Sequence, residues 1–305
     1  MAFRIKRKES PGQGLKRILR EQIGKAEAEL SAAKGEDPHQ AIHQARKRCK
    51  KIRALYRLVR PELEKVYQRE NRRFRDNARR LATVRDAEAM TEAYDRTMAY
   101  FEDGIEDRAQ YAGIRFHLTN RRNALASSEL DLEERVERFR RDLERGREVA
   151  GSWKLDSKEF DGIELGFRKT YKRGRKAMKA AIARPSPKRF HEWRKRVKYH
   201  RFHLRALRGI WRHPMGAFED EMDELGELLG DAHDLHVLDR YLEENRDQFS
   251  DKVDLDGFLS YSERLRHELE HEAVTLGRRA YASKPKRQIK WYRKRWDIWR
   301  GIGDD

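Results

Sequence analysis

The chain has 305 residues, and its 71 Lys and Arg against 53 Asp and Glu give a formal net charge of +18. A mean hydropathy of −1.06, with no apolar run near the roughly 20 residues that a membrane span needs, excludes a membrane-spanning protein. With one cysteine, Cys49, an internal disulfide and a cysteine-based zinc site are excluded. The basic N-terminus lacks the apolar segment of a secretory signal. We therefore expect a cytoplasmic protein.

Apolar residues recur at helical spacing through most of the chain. The predicted helices span residues 15–33, 41–60, 62–101, 129–150, 160–183, 190–212, 218–245, 255–279 and 287–299. Turn chemistry separates them, as in the segment Pro185-Ser186-Pro187. The segment 104–128 has the weakest periodicity, and we expect a long connection with one short helix there. No period-2 pattern typical of a strand is found, so the predicted fold is all-α.

The most informative feature is an internal repeat at an offset of 148 residues, the separation of His43 and His191. Without a gap, this shift also pairs Arg46 with Arg194, Lys47 with Lys195, Arg48 with Arg196, Lys50 with Lys198, Arg53 with Arg201, Arg57 with Arg205, Arg60 with Arg208 and Asp86 with Asp234. The basic positions keep their identity, whereas apolar positions keep only their character, which is all that a core requires. We therefore predict two pseudo-symmetric four-helix bundles, residues 1–152 and 153–305.

The basic residues of the first half follow a helical spacing. From His43 to Arg60 they form one stripe, and an apolar stripe that includes Cys49 lies about 120° away on the same helix. No acidic residue occurs between His43 and Arg60. Each stripe is about 25 Å long, and such a density of like charge is tolerable when a polyanion neutralises it. The alternative is an ordinary solvated helix face.

The repeated motif resembles the CHAD family, the conserved histidine α-helical domain. The resemblance rests on His43-x-x-Arg46-x-x-x-Lys50, its repeat from His191, and Leu229-Gly230-Asp231-x-His233-Asp234. It implies two helical bundles around a basic central cavity or groove, binding of inorganic polyphosphate, and association with polyphosphate granules. Many relatives carry an N-terminal triphosphate-tunnel domain, whose Glu-x-Glu-x-Lys signature this chain lacks, so we do not expect the hydrolysis performed by that domain.

We predict a non-enzymatic polyphosphate-binding protein with no cofactor, no bound metal and no membrane partner. The predicted binding residues are His43, Arg46, Lys50, Arg53, Arg57, His191, Arg194, Lys198, Arg201 and Arg205, with Lys47, Lys51 and Lys195 around them. The two histidines either face the ligand or simply cap and pack the helices. Asp86 and Asp234 are expected to hold an arginine of the stripe or cap a helix.

Other readings remain open. The main alternative function is the binding of DNA or RNA through the same basic faces. His267-Glu268-Leu269-Glu270-His271 matches a zinc motif formally, and a phosphohydrolase or kinase would need a metal site or phosphate loop that the sequence does not show. The Trp-rich segment 284–300 either stacks on single-stranded nucleic acid or fills the core while its basic residues reach solvent.

Overall fold

The computed structural model describes residues 3–32, 38–80, 83–127 and 132–302, and most of these residues are helical. No strand occurs within these ranges, which confirms the all-α prediction. In chain order the helices are α1 (Pro11–Ala32), α2 (Pro38–Leu58), α3 (Glu64–Arg80), α4 (Thr83–Tyr100), α5 (Ala112–Ser127), α6 (Leu132–Ser152), α7 (Asp161–Ala183), α8 (Pro187–Leu207), α9 (Arg212–Glu244), α10 (Leu255–Ala280) and α11 (Pro285–Arg300).

The helix bounds differ most from the predicted ones at three places. The stretch predicted as one helix over 62–101 consists of α3 and α4, which pack mainly against different helices: α3 against α2 and α6, and α4 against α5, α9 and α10. The segment 104–128 holds the 16-residue helix α5, which is longer than the short helix expected. Helix α9 begins before Pro214, because a proline in the first turn lacks only an N–H that has no helical partner there.

The buried apolar residues of the described ranges form two clusters. The larger one joins helices from both parts of the chain and includes Leu143 and Trp193. The smaller one lies where α4 and α5 pack against α9 and α10, and it includes Met90 and Phe258. Each cluster therefore draws on residues from both sides of residue 152. The division at 152/153 and the internal duplication stay predictions.

Helix α11 closes the larger cluster. Trp296 is fully buried, and its Nε1 donates a hydrogen bond of 2.9 Å to Glu159. Trp291 and Trp299 are partly buried and pack against the same core. The tryptophans of this segment thus serve mainly as core residues. None of the described helices has the length and apolar character that a membrane crossing requires.

Candidate functional site

Helices α2 and α8 carry the two predicted basic stripes, and they contact each other. Each helix has 21 residues and begins at a proline, which suits the first helical turn. Cys49 of α2 and Trp193 of α8 are fully buried, so the basic residues beside them stand at the edge of the core. The apolar and basic stripes therefore lie side by side, as their spacing predicts.

Positions that the offset of 148 pairs make reciprocal contacts between α2 and α8. The guanidinium of Arg57 lies 3.8 Å from the centroid of the Tyr199 ring. In return, Lys51 and Arg205 line the same cavity, and desolvation, Arg48 and Arg205 lower the pKa of Lys51 to about 8. The same offset pairs Arg57 with Arg205 and Lys51 with Tyr199. The helices therefore cross, and the C-terminal part of each stripe reaches the middle of the other helix.

The two equivalent lysines Lys50 and Lys198, called here the lysine pair, come together at this crossing. Desolvation, followed by the charges of Arg46 and Arg194, lowers the pKa of Lys50 to about 8. Desolvation, Arg194 and Lys50 lower the pKa of Lys198 to about 7, and Asp234 opposes the shift in both lysines. Lys50 nevertheless stays exposed and Lys198 partly exposed. The pair is thus crowded by cations at a place that solvent can reach.

Helix α9 positions Arg194 beside the lysine pair. Asp234 Oδ1 lies 3.6 Å from Arg194 Nη1, so this carboxylate holds an arginine of the stripe, which confirms one of the two roles expected for it. Gly230 makes room for the guanidinium, since a β-carbon there would lie 3.0 Å from Arg194 Nη2. The side chain of Asp86, the position paired with Asp234, lies outside the described residues.

The histidine at the head of the α8 stripe packs against a second histidine. The ring centroids of His191 and His233 are 4.1 Å apart. Desolvation and the charge of Lys195 lower the pKa of His191 below its ordinary value, while desolvation and His191 lower that of His233 to about 3. Both imidazoles are therefore neutral at pH 7. His43, at the head of the α2 stripe, is partly buried.

Carboxylates of α9 also engage the C-terminal part of the α8 stripe. Arg201 forms an ion pair with Asp223. Glu219 is buried and lies 3.6 Å from Arg205 and 3.4 Å from Arg208. The predicted site residues of α8 that take part in ion pairs are Arg194, Lys195, Arg201 and Arg205.

At the corresponding end of the α2 stripe, Arg60 pairs with Glu64 of α3 at 2.9 Å, whereas no described carboxylate forms an ion pair with Arg53 or Arg57. Arg53 donates a hydrogen bond of 3.1 Å to the amide oxygen of Asn71. Arg57 lies over the rings of Tyr199 and Tyr67, and desolvation lowers its pKa to about 10. Within the described ranges, the following predicted site residues of α2 form no ion pair: Lys47, Lys50, Lys51, Arg53 and Arg57.

A basic cavity of about 280 Å³ lies between α1, α2, α8 and residues 3–10, called here the N-terminal arm. Its lining contains two predicted site residues, Lys51 and Arg205, which lie together here and not beside the lysine pair. The other lining residues are Phe3, Arg4, Gln22, Lys25, Arg48, Arg208 and Arg212. The lining holds no acidic residue, although Arg48 is paired with Glu29 at 3.0 Å. The geometry can therefore accept negatively charged groups at this cavity as well as at the lysine pair.

Sequence reasoning missed several members of this cavity. Lys25 belongs to α1 and Arg4 to the N-terminal arm, and neither lies in a repeated motif. Arg208 was paired with Arg60 by the offset, and that pairing was the one available signal for it. The approach of the N-terminal arm to α8, where the Ile5 amide donates to the carbonyl of Ala206 at 2.9 Å, cannot be read from spacing.

The formal zinc motif lies away from these basic groups. His267 is 62% exposed and lies 3.6 Å from Glu263 on its own helix, and His271 is exposed too. In the part of the chain that the structure describes, no group of three or more His, Cys, Asp or Glu side chains is placed to hold a metal ion.

Comparison with known proteins gives one match. The sequence profile of the CHAD domain matches residues 17–243, which is more than half of the chain. No curated protein and no solved structure matches significantly. The matched range includes α2, α8 and nearly all of α9, the three helices that build the lysine pair and its surroundings. The chain therefore belongs to the CHAD family.

Proposed function

We propose that the protein binds inorganic polyphosphate where α2 and α8 cross, and that it binds the polymer without hydrolysing it. The lysine pair is the observation that carries this proposal. Desolvation, followed by the repulsion of nearby cations that include Arg46 and Arg194, lowers the pKa values of both lysines, so keeping them charged has a cost. A bound polyanion would remove the repulsion and favour the charged form of both lysines.

A polymer suits the distribution of charge better than a single phosphate. Cations lie at the lysine pair, at Arg53 and Arg57 beyond it, and around the basic cavity that contains Lys51 and Arg205. A stripe from His43 to Arg60 is about 25 Å long. Guanidinium groups match phosphate oxygens in pairs, and lysines add mobile point charges. Association with polyphosphate granules would follow from such binding.

Two groups that a catalytic mechanism could use, a thiol and a carboxylate, have structural roles in this protein. This favours binding of the polymer over its hydrolysis. Burial raises the pKa of the Cys49 thiol to about 12, so it stays protonated. Asp234 faces Arg194 at 3.6 Å. We therefore expect no release of phosphate from polyphosphate in the presence of Mg²⁺ or Mn²⁺. Steady phosphate release that K50Q/K198Q abolishes would contradict the non-enzymatic assignment.

The test removes the lysine pair and keeps the rest of the surface. The double variant K50Q/K198Q should bind long-chain polyphosphate at least about tenfold more weakly than the parent, because charge-assisted hydrogen bonds are worth roughly 1.5–3 kcal/mol each. The matched control is K176Q/K179Q, which removes two exposed lysines of α7 and gives the same net charge. Equal weakening by both double variants would show that net charge alone attracts the polymer.

Competition separates polyphosphate from nucleic acid. Long-chain polyphosphate should displace single- or double-stranded DNA and RNA when all are compared at equal phosphate concentration. We expect this because nucleic acid does not gain affinity at the lysine pair from stacking of its bases on aromatic side chains. If DNA or RNA displaces polyphosphate instead, the same basic surface serves nucleic acid, and the proposed function is wrong. All affinities should be measured at one fixed salt concentration, because polyanion binding depends steeply on salt.

A further inference from the structure

We propose that the protein has a second ligand site, a pocket between α8, α9, α10 and α11 that binds a small aromatic monoanion. The pocket has a volume of about 660 Å³, within the range of small-molecule sites, roughly 300–1,000 Å³. His200 and Leu204 of α8 line it. His200 follows Lys198 by two residues, which places it about 160° around the helix from the lysine pair. The site is therefore separate from the proposed polyphosphate surface.

The pocket lies where the second half of the chain carries smaller side chains than the first. The offset of 148 pairs Leu204 with Tyr56 and Met222 with Phe74. All four side chains are buried in the larger apolar cluster, and Leu204 and Met222 also line the pocket. Two aromatic rings of the first half thus have smaller counterparts here, which leaves more room beside them.

A buried histidine with unused hydrogen-bonding capacity forms one wall. His200 is 3% exposed, and its ring makes no hydrogen bond within the described residues; Nδ1 is fully buried without a partner. The ring stacks on Phe167, with centroids 5.3 Å apart, and burial keeps it neutral by lowering its pKa to about 3. Buried polar groups normally have partners. Because Nδ1 is sealed from the pocket, Nε2 is the ring nitrogen to which a ligand group would bond. The paired residue is Ile52, which is apolar, and such a bond would give the histidine at position 200 a role that an apolar residue cannot have.

The remaining walls specify an aromatic ring with negative charge. Trp291 lines the pocket beside Phe218, and the two rings meet edge to face at 5.8 Å. The guanidinium of Arg295 lies over the Trp291 ring, 3.6 Å from its centroid, and so helps to fix the position of this ring. Flat apolar walls of this kind favour a ring that stacks or packs edge-on.

The charges at the pocket fit a single negative group. Arg279 and Arg287 line the pocket together with one carboxylate, Glu221. The balance of these three side chains is one positive charge, which a sulfonate, carboxylate or monoanionic phosphate ester would neutralise. Guanidinium groups recognise such oxygens through paired donors. A ligand with the ring against Trp291 and the anion at the two arginines would then reach His200 with a polar atom.

The test uses 8-anilinonaphthalene-1-sulfonate, an aromatic monoanion, with calorimetry and probe fluorescence on the full chain. We expect one saturable site per chain, and binding about tenfold weaker in Arg279→Gln. The control is Arg278→Gln, an exposed neighbour in the same last turn of α10 that does not line the pocket. Met222→Phe introduces the residue type found at the paired position 74, and it should abolish binding by filling the pocket.

Three outcomes would overturn the proposal: no saturable binding to the parent chain, equal weakening by Arg279→Gln and Arg278→Gln, or displacement of the probe by saturating polyphosphate. Arg279 is exposed, so the arginine pair decides the question even if Met222→Phe does not fold. Retention of the probe in excess polyphosphate, with selective loss in Arg279→Gln, supports a separate site. Because these readouts do not depend on polyphosphate binding, failure of one proposal leaves the other standing.

Discussion

The stripes of α2 and α8 carry the same basic residues at the same spacing, but the helices beside them differ. Next to α8, Asp223 and Glu219 of α9 neutralise Arg201 and Arg205. Next to α2, the position paired with Glu219 is Asn71. The adjoining helix therefore decides how much charge a stripe has left for a ligand. Lys50, Arg53 and Arg57 of α2 form no ion pair within the described residues, whereas Arg194, Arg201 and Arg205 of α8 are held by carboxylates of α9.

The largest expected effect comes from removing three cations from one stripe at a time. The variant K50Q/R53Q/R57Q should lower polyphosphate affinity about a hundredfold or more, because its three cations have no carboxylate partners and each charge-assisted contact is worth roughly 1.5–3 kcal/mol. Binding should be measured by calorimetry at fixed salt. Its thermal midpoint should change little, since lost packing is offset by relief of repulsion.

The matched variant K198Q/R201Q/R205Q removes the same charge from α8. Its affinity should fall only about tenfold, whereas its free energy of unfolding should fall by about 1–3 kcal/mol, because Asp223 loses its partner and Glu219 keeps only Arg208. Denaturant unfolding gives this number. Equal effects of the two triple variants on both affinity and stability would break the distinction between the stripes.

The second effect is a dependence of affinity on pH. The free protein holds Lys50 and Lys198 at pKa values of about 8 and 7, against an ordinary value of 10.5. Bound polyanion raises these values, so binding takes up protons and the affinity should fall about tenfold or more from pH 6.5 to 9. In the same window the unfolded chain binds more protons than the folded chain, so the unfolding free energy of the ligand-free protein should rise with pH.

The control for the pH effect is K50R/K198R, in which both side chains stay charged at pH 9. Its affinity should be nearly constant over the same range. A parent protein whose affinity does not change between pH 6.5 and 9, or a double arginine variant with the same pH profile as the parent, would show that the lysine pair does not meet the polymer.

The third effect transfers a carboxylate from one side of the comparison to the other. Asn71→Glu places on α3 the acid that α9 has at position 219, so Arg53 gains an ion pair. Polyphosphate affinity should fall about tenfold, although no cation has been removed. Asn71→Gln is the matched neutral control and should bind like the parent. An unchanged affinity in Asn71→Glu would mean that Arg53 does not contact the polymer.

The smallest effect is the reverse exchange. Glu219→Gln releases Arg205 and Arg208 from their shared carboxylate, and the affinity should rise about threefold, as the net charge near the basic cavity grows. Filter binding with short and long polyphosphate would measure it. Weaker binding in Glu219→Gln would instead mean that the carboxylate positions the arginines for the ligand.

Helical spacing predicted most of the fold and the location of the stripes, because amphipathic periodicity follows from the geometry of a single helix. It did not predict that α4 leaves α3 to pack against α9 and α10, since that choice depends on contacts distant in sequence. The same reason explains the site. The residues Lys50 and Lys198 were identified by the repeat, but their approach depends on how the helices cross. So do the packing of His191 against His233 and the presence of Lys25 at the basic cavity.

The charge balance of the site also required the structure. Arg53 and Arg201 are paired arginines, which suggested equal roles. Arg53, however, bonds to the amide of Asn71, whereas Arg201 pairs with the carboxylate of Asp223. Tyr199 stands where the first half has Lys51, and it packs on Arg57, whereas Lys51 lines a cavity. Such departures from the repeat are visible in the sequence, but their consequence depends on which side chain of the opposing helix they meet.

The most direct test of the central claim is the position of the polymer in a crystal structure of the protein with polyphosphate. The account predicts phosphate oxygens within about 3 Å of both Lys50 Nζ and Lys198 Nζ, a usual distance for a charge-assisted hydrogen bond, with the chain continuing toward Arg53 and Arg57. Phosphate groups that occupy only the basic cavity around Lys51 and Arg205, or only the outer surface of α7, would contradict it.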